Sequence, residues 1–451
     1  MNFIFFGRLA REKGFDLVVG ALSEIVEKTG ELPGNIFIFG EGDLKRELFQ
    51  SFAGNILFED CSRLRGEEIL DKIEFLSNLE YEEIGCNEEI PPTPLYQGGN
   101  KIYFFGWQSQ AILRSILEIS HFSLMPSRFL ETFGLAALES LSEGVPVIGF
   151  QKGGLIPFIS KELIISFSEN DNENTKALAN KIVEISEKYS SLESLVTPPI
   201  SSLDFPPRVR GIKGEWKILS HESRRIADGY TEGRWIRQVQ DMLPSGTKKI
   251  LLASDYTTLL GGIETHVQTI ARALRQQGYE VEIFGWDITK GRWTKVLRLM
   301  GLVYSLCNIT SALAIRKKIR EFQPDVVWLH SVSRFLGPLT VREVADWRKN
   351  KEISTLVTYH DLGLLSPFPS RVESEEMIPK NPSLGAFFSS VHSGNPIVYL
   401  AVFCKYFQVL ILRKLLKRIN IHIVPSAFLV PHIRDIIEVP DEKIVTLEHF
   451  L

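Results

Sequence analysis

The chain has 451 residues, 44% of them apolar and 24% charged, with a net charge of −4. This composition excludes a disordered, collagenous or wholly membrane-embedded chain and makes two globular domains the natural expectation. The charge is split: residues 1–247 carry 25 Lys and Arg against 36 Asp and Glu, and residues 248–451 carry 26 against 19. A basic half suits an anionic partner such as a phosphorylated acceptor or a lipid surface; chance segregation is the alternative. Cys61, Cys86, Cys307 and Cys404 show neither CxxC nor metal-ligand spacing and read as reduced thiols. Met1 runs into the apolar Phe3–Phe6 and then Gly7 and Arg8, so no signal peptide is expected and the cytoplasm is the expected compartment.

Asn2–Phe6 reads as a strand, Gly14–Lys28 as a helix and Asn35–Phe39 as a strand. Between Phe49 and Asn100 a partly acidic stretch with Pro91, Pro92 and Pro94 reads as a surface excursion without assigned function. Lys101–Phe105 reads as a strand, Ala111–Ser120 as a helix and His121–Met125 as a strand. A polar turn with Glu131 follows, then a small-residue helix carrying Glu139, then Gly144 and the strand Val145–Phe150. Apolar strands separated by helices imply a parallel sheet covered on both faces. Residues 195–214, rich in Pro, Ser and Gly, read as a loop, and Trp216–Leu243 as one long amphipathic helical stretch. A second α/β system follows: strand Lys249–Ser254, turn Gly261-Gly262, helix Glu264–Gln277, then strands Val281–Phe284, Val326–His330, Thr355–His360 and Ile421–Val424. Ile397–Leu412, followed by Arg413, Lys414, Lys417 and Arg418, is interrupted by Lys405 and too short to span a bilayer. It reads as a domain helix with a basic end, or as a surface-lying one.

Residues 126–149 carry most of the chemistry. A strand, a glycine turn and a helix offer free N–H groups to a phosphate. Glu131 and Glu139 flank that helix start, and carboxylates accept hydrogen bonds from sugar hydroxyls. Two solvated glutamates are the bland alternative, which suits Glu143 better. Arg8 and Lys13 lie five apart across a loop that opens a helix, and two such cations hold a diphosphate and offset its charge. The alternative for them is a surface pairing with Glu12 or Asp16. Gly40, Gly42 and Gly106-Trp107 follow other strand ends, where open α/β sheets bind ligands. In the second half, Glu264 and His266 open a helix, His330 follows an apolar strand, and His360-Asp361 ends another. No glycosidase-like carboxylate pair, Asp-x-Asp metal motif or G-x-G-x-x-G is found.

Together these pieces resemble the retaining glycosyltransferases of the GT-B fold, family 4 or group 1, typified by bacterial mannosyl- and glucosyltransferases. Residues 126–149 resemble the donor-site signature, Gly7-Arg8-Leu9-Ala10-Arg11-Glu12-Lys13-Gly14 the phosphate loop, and Gly40-Glu41-Gly42 the next glycine turn. Gly261-Gly262-Ile263-Glu264-Thr265-His266 resemble the start of the acceptor domain, Tyr359-His360-Asp361 the catalytic-histidine region, and Val424-Pro425-Ser426 a later strand end. The resemblance implies α/β GT-B architecture: two Rossmann-like parallel-sheet domains facing across a cleft. It implies that Arg8 and Lys13 hold the diphosphate, Glu131 the donor sugar and Glu139 the ribose. Phe133, Gly134 and Leu135 would present backbone N–H groups, Gly261 and Gly262 would close over the phosphates, and His360 would lie near the reacting sugar.

The halves stand in the reverse of the family's order, with a donor-type domain at 1–243 and an acceptor-type domain at 248–451. Met1 begins where the family's linker would end and Leu451 stops where it would begin. The chain is therefore expected to be a circular permutant or a join of two partial enzymes. The implied reaction is transfer, expected to be hexosyl, from a nucleotide diphosphate sugar to an acceptor hydroxyl with retention, with neither cofactor nor metal. The alternative is a catalytically silent GT-B binding subunit. Expected partners are the donor and a glycan, lipid-linked or small-molecule acceptor, with no nucleic acid. Peripheral contact at the inner membrane face through 397–418 stays open.

Overall fold

The computed structural model describes residues 1–52, 57–82, 100–190, 215–257, 262–287, 306, 308–347, 353–364, 372–375, 378, 384–385 and 396–451. Two compact units emerge: residues 1–128 with 134–229, and residues 129–133 with 230–451. The loop expected at 195–214, the tip of the 50–100 stretch, Gly261, Cys86 and Cys307 lie outside the described residues.

The first unit is built on a parallel sheet of β1 (Asn2–Phe6), β2 (Asn35–Phe39), β3 (Phe58–Asp60), β4 (Ile102–Gly106), β5 (Phe122–Met125), β6 (Val147–Phe150) and β7 (Ile164–Ile165). Their order is β3-β4-β2-β1-β5-β6-β7. All five residues of β1 are buried, as both-face coverage by helices requires. β1 pairs with β2 in register Asn2 to Asn35, and with β5 in register Phe3 to Phe122. The second unit holds β8 (Lys249–Tyr256), β9 (Glu280–Trp286), β10 (Val326–Ser331), β11 (Ser354–Thr358), β12 (Ile421–Val424) and β13 (Ile444–Thr446), in the order β13-β12-β11-β10-β8-β9. Its core has two layers, one including Val327, Leu329, Val357 and Leu412, the other Trp235, Ile250, Trp328 and Leu356. Two Rossmann-like parallel-sheet units fit the GT-B fold.

Four expectations change. The stretch after Phe49 is more than a surface excursion: Phe58–Asp60 pairs in parallel with Ile102–Phe104 at the sheet edge, and a helix spans Glu67–Glu82. The segment 216–243 is two helices, Glu215–Ala227 and Glu232–Met242, because Gly229 interrupts and the Thr231 hydroxyl caps the second by accepting from Arg234 N–H. That second helix belongs to the second unit, where Trp235 stacks on Trp328 with centroids 6.1 Å apart, so the unit boundary falls at 229/230. His360 lies beyond β11 in a turn.

The helix Pro396–Leu416 buries Val402, Val409, Leu412 and Leu416. No helix among the described residues is long and apolar enough to cross a membrane. At its basic end Arg413 is buried, Lys417 pairs with Glu438 and Arg418 with Asp346. These three cations are thus engaged within the fold.

Candidate functional site

In the first unit the strand order reverses between β1 and β5, and open α/β sheets bind ligands outside the carboxyl ends of strands at such a point. Here the loop after β1 carries Gly7, Arg8 and Lys13, and the chain after β5 runs Pro126–Arg128 and later Gly134. Backbone hydrogen bonds tie the neighbouring loops: Gly7 N–H donates to Phe39 O at 3.1 Å, Leu9 N–H to Glu41 O at 3.1 Å, and Gly40 N–H to Gly106 O at 2.8 Å. The approach is so close that a Cβ on Gly40 would lie 1.8 Å from Gly7 O. Gly14, at φ +71°, likewise leaves a would-be Cβ only 1.9 Å from Pro126 O. Only glycine permits both contacts. Gly42 sits in the same weave, against Leu9.

Arg8 is 60% exposed and forms an ion pair with Glu12 at 2.7 Å, the pairing weighed as its alternative. Lys13 is half-buried at the end of the short turn Arg11–Lys13. Asp16 is engaged elsewhere, by Arg128. That arginine is 2% exposed and was not singled out from sequence. Its guanidinium donates to Asp16 Oδ2 at 2.7 Å, to Asp171 Oδ1 at 3.0 Å and to Arg11 O at 2.8 Å, and its backbone N–H donates to Glu12 O at 3.0 Å. Arg128 thus clamps the loop after β1 to the chain after β5. Removing one partner from a buried ion pair leaves charge uncompensated. Arg128→Met is expected to cost about 2–3 kcal/mol, discounted because Asp171 is 41% exposed. A urea midpoint equal to wild type would refute the clamp.

The helix Leu135–Ser142 starts after Gly134, which sits at φ 100° and offers no side-chain cap, so the first-turn amides have no side-chain acceptor from that position. Leu135 opens the helix and Glu139 lies just over one turn along it. Glu139 is half-buried, accepts from Gln110 Nε2 at 3.4 Å, and burial pushes its carboxyl up against the opposing effects of Gln110 and Arg114. Glu143 is also pushed up by burial. Trp107 is exposed beside Gly106.

Residues 129–133 belong to the second unit. Leu130 N–H donates to Val372 O at 2.8 Å, Thr132 Oγ1 to His360 O at 2.6 Å, and Ser426 Oγ to Thr132 O at 2.6 Å. Glu131 is half-buried within this segment. Phe133 is buried, edge-on to Tyr230 at 5.7 Å and to His449 at 4.9 Å.

Four histidines gather here, three from the sequence reading and one beyond it. His266 is buried on the helix Gly262–Gln276, His330 is on β10, His360 follows β11, and His449 follows β13. His330 Nδ1 lies 2.9 Å from His360 Nε2. The ring of His266 lies 3.9 Å from that of His449 and 5.4 Å from that of His360, centroid to centroid. Burial drives His266 down to about 4. It holds His330, His360 and His449 well below the ordinary imidazole value, with neighbouring imidazoles adding to the shift. All four are therefore neutral near pH 7. Gly262 is exposed at the helix start, and Glu264 is buried within the first turn. Asp361 accepts from Gly363 N–H at 2.7 Å in a local turn.

Asp255, also missed, ends β8 fully buried. It accepts from Ser331 Oγ and from the N–H groups of Arg334, Phe335 and Leu336 at 2.8–2.9 Å, so it orders the turn after β10. Burial raises its carboxyl despite these bonds. Lys405, half-buried nearby, is lowered to about 8 by desolvation, with Asp361 and Asp255 holding it up. A recess lined by Pro244, Gly246, Gln323, Asp325 and Trp347 lies at the amino ends of β8 and β10, where no expected site residue falls.

A protein described as an uncharacterized glycosyltransferase of Methanocaldococcus jannaschii is 23% identical over 160 residues, 36% of this chain and 30% of its own length. The pneumococcal O-GlcNAc transferase GtfA, solved with UDP and GlcNAc, is 20% identical over 53% of this chain and 35% of its own, with a TM-score of 0.33. The chain thus spans about a third of the length of these two relatives. The catalytic domain of cholesterol-alpha-glucosyltransferase from Helicobacter pylori is 13% identical over 51% of this chain and 99% of its own, with a TM-score of 0.29. Residues 95–196 match the family model for glycosyl transferases group 1, and residues 260–450 match that for Glycosyltransferase Family 4. The group 1 match falls mostly in the first parallel-sheet unit and the Family 4 match in the second.

Proposed function

We propose that the chain transfers a sugar, expected to be a hexosyl group, from a nucleotide diphosphate sugar to an acceptor hydroxyl with retention and without a metal on the diphosphate. The observation carrying this reading is the first unit's switch point. There Arg8, Lys13, the glycine weave and the start of the helix Leu135–Ser142 stand at the carboxyl ends of β1, β2 and β5. Arg8 and Lys13 would neutralise the diphosphate as the sugar leaves, and helix amides would add N–H donors. Glu139 would read the ribose and Glu131 the sugar hydroxyls. His360, held neutral and fixed through its carbonyl by Thr132, would lie near the reacting sugar. The leaving phosphate would take the acceptor proton. The acceptor is a glycan, a lipid-linked sugar or a small molecule, and the helix Pro396–Leu416 is the segment proposed for peripheral membrane contact.

The donor-type unit precedes the acceptor-type unit, which supports either a circular permutant or a join of partial enzymes. A catalytically silent binding subunit is the alternative reading. A nucleotide-sugar panel on the 451-residue chain, read by thermal shift and nucleoside diphosphate release, separates these readings. One donor that both stabilises the chain and is turned over is the expected result. Stabilisation without release across a broad acceptor set would support the binding subunit, and no response to any donor would sink the donor site.

A further inference from the structure

We propose that His266, His360 and His449 form a binding site for a late first-row divalent cation, zinc foremost. The three imidazoles come from a helix, the turn after β11 and the segment after β13, and one ring nitrogen of each lies within 4.8 Å of the others. Two zinc–nitrogen bonds of about 2.1 Å span at most about 4.2 Å, so modest ring rotations bring the set to bonding distance. No hydrogen bond joins the His266 or His449 side chain to any other described residue. Both rings are buried, and each brings one nitrogen toward a shared point.

A packed aromatic cluster is the competing explanation. The rings of His360 and His449 do stack, at 5.6 Å and 14°. Phenylalanine would fill that role at no polar cost, and the chain instead places four of its nine histidines together. The fourth supplies what a metal ligand requires beyond itself. His330 Nδ1 lies 2.9 Å from His360 Nε2, so His330 orients the His360 ring and sets which nitrogen carries its proton. Thr132 fixes the same residue from its backbone side. The donor set is three neutral nitrogens without carboxylate or thiolate, which suits zinc, copper, nickel or cobalt and disfavours magnesium, calcium and manganese. Three protein ligands leave a position open to water or substrate.

The test uses the full chain, stripped with chelator and titrated with zinc sulfate at pH 7.5 by calorimetry, with dialysis and elemental analysis for stoichiometry. One zinc per chain is expected, with no binding of magnesium under the same conditions. His449→Phe keeps ring volume and is expected to abolish binding, as is His266→Phe. His330→Phe, which removes only the orienting partner, is expected to weaken binding about 10- to 100-fold. Each variant is checked for wild-type circular dichroism, and His449→Ala replaces any that fails. Absence of zinc binding overturns the proposal. So does stoichiometric zinc that survives in both ligand variants, since the metal would then sit elsewhere. The readout is bound metal, so it stands apart from the outcome of the donor panel.

Discussion

Arg8→Ala is expected to lower turnover about 10²- to 10³-fold, the loss typical of removing one charge-stabilising donor from a reacting phosphate. The melting temperature is expected to stay within about a degree of wild type, because an exposed ion pair such as Arg8–Glu12 contributes about 0–1 kcal/mol. The separation of the two readouts is the diagnostic. Arg8 is itself 60% exposed, whereas Arg128 is buried, so any large effect of removing Arg8 belongs to the ligand. Glu12→Gln releases the same guanidinium without removing it, and is expected to keep turnover near wild type. Glu131→Gln is expected to fall with Arg8→Ala while leaving the fold intact. Turnover near wild type in either Arg8→Ala or Glu131→Gln would show that the donor site has been placed on the wrong residues.

Acidification from pH 7 to 4 is expected to destabilise the second unit steeply. Four imidazoles, three buried and His360 half-buried, are neutral in the folded state and take up protons more readily once unfolded, where the ordinary value is about 6.5. The unfolded state therefore binds more protons, and stability falls as pH falls. The contribution is complete above about 6.5 and is withdrawn between there and the folded values. For His266, lowered to about 4, the loss by pH 4 is about 3 kcal/mol at most, and the other three rings add to it. The buried carboxyl of Asp255 works in the opposite direction. Its folded value is raised, so protonation relieves a cost, and it offsets part of the loss as the pH falls toward the ordinary carboxylate range. Urea midpoints at pH 7.5, 6 and 4.5 check the sign, and His266→Phe is expected to flatten the curve. A midpoint that holds or rises on acidification would mean that these rings are solvated.

The glycines and cations after β1 stand out as donor-site candidates because their chemistry is local: a cation pair, a loop and a helix start lie within eight residues. Glu139 stands out for the same reason, as a carboxylate on a short helix after a glycine turn. His449 carried only a faint signal, a single histidine near the end of the chain. Its importance comes from β13 pairing beside β12, which brings it against a helix that begins at Gly262. Arg128 lay inside the most informative segment and still escaped notice, since its partners Asp16 and Asp171 are 112 and 43 residues away.

By itself the sequence determined the alternation of apolar strands and helices, hence two parallel sheets, and the residue types that gather at their carboxyl ends. Those properties follow from short-range periodicity and from the steric demands of glycine. Only the tertiary structure decided that Phe58–Asp60 joins the sheet and that the chain breaks at Gly229 with its second helix in the other unit. It alone decided that one arginine locks two loops and that four histidines share one place. Each of these depends on contacts between segments far apart in the chain, where the gain from burial and pairing outweighs any preference a local window carries.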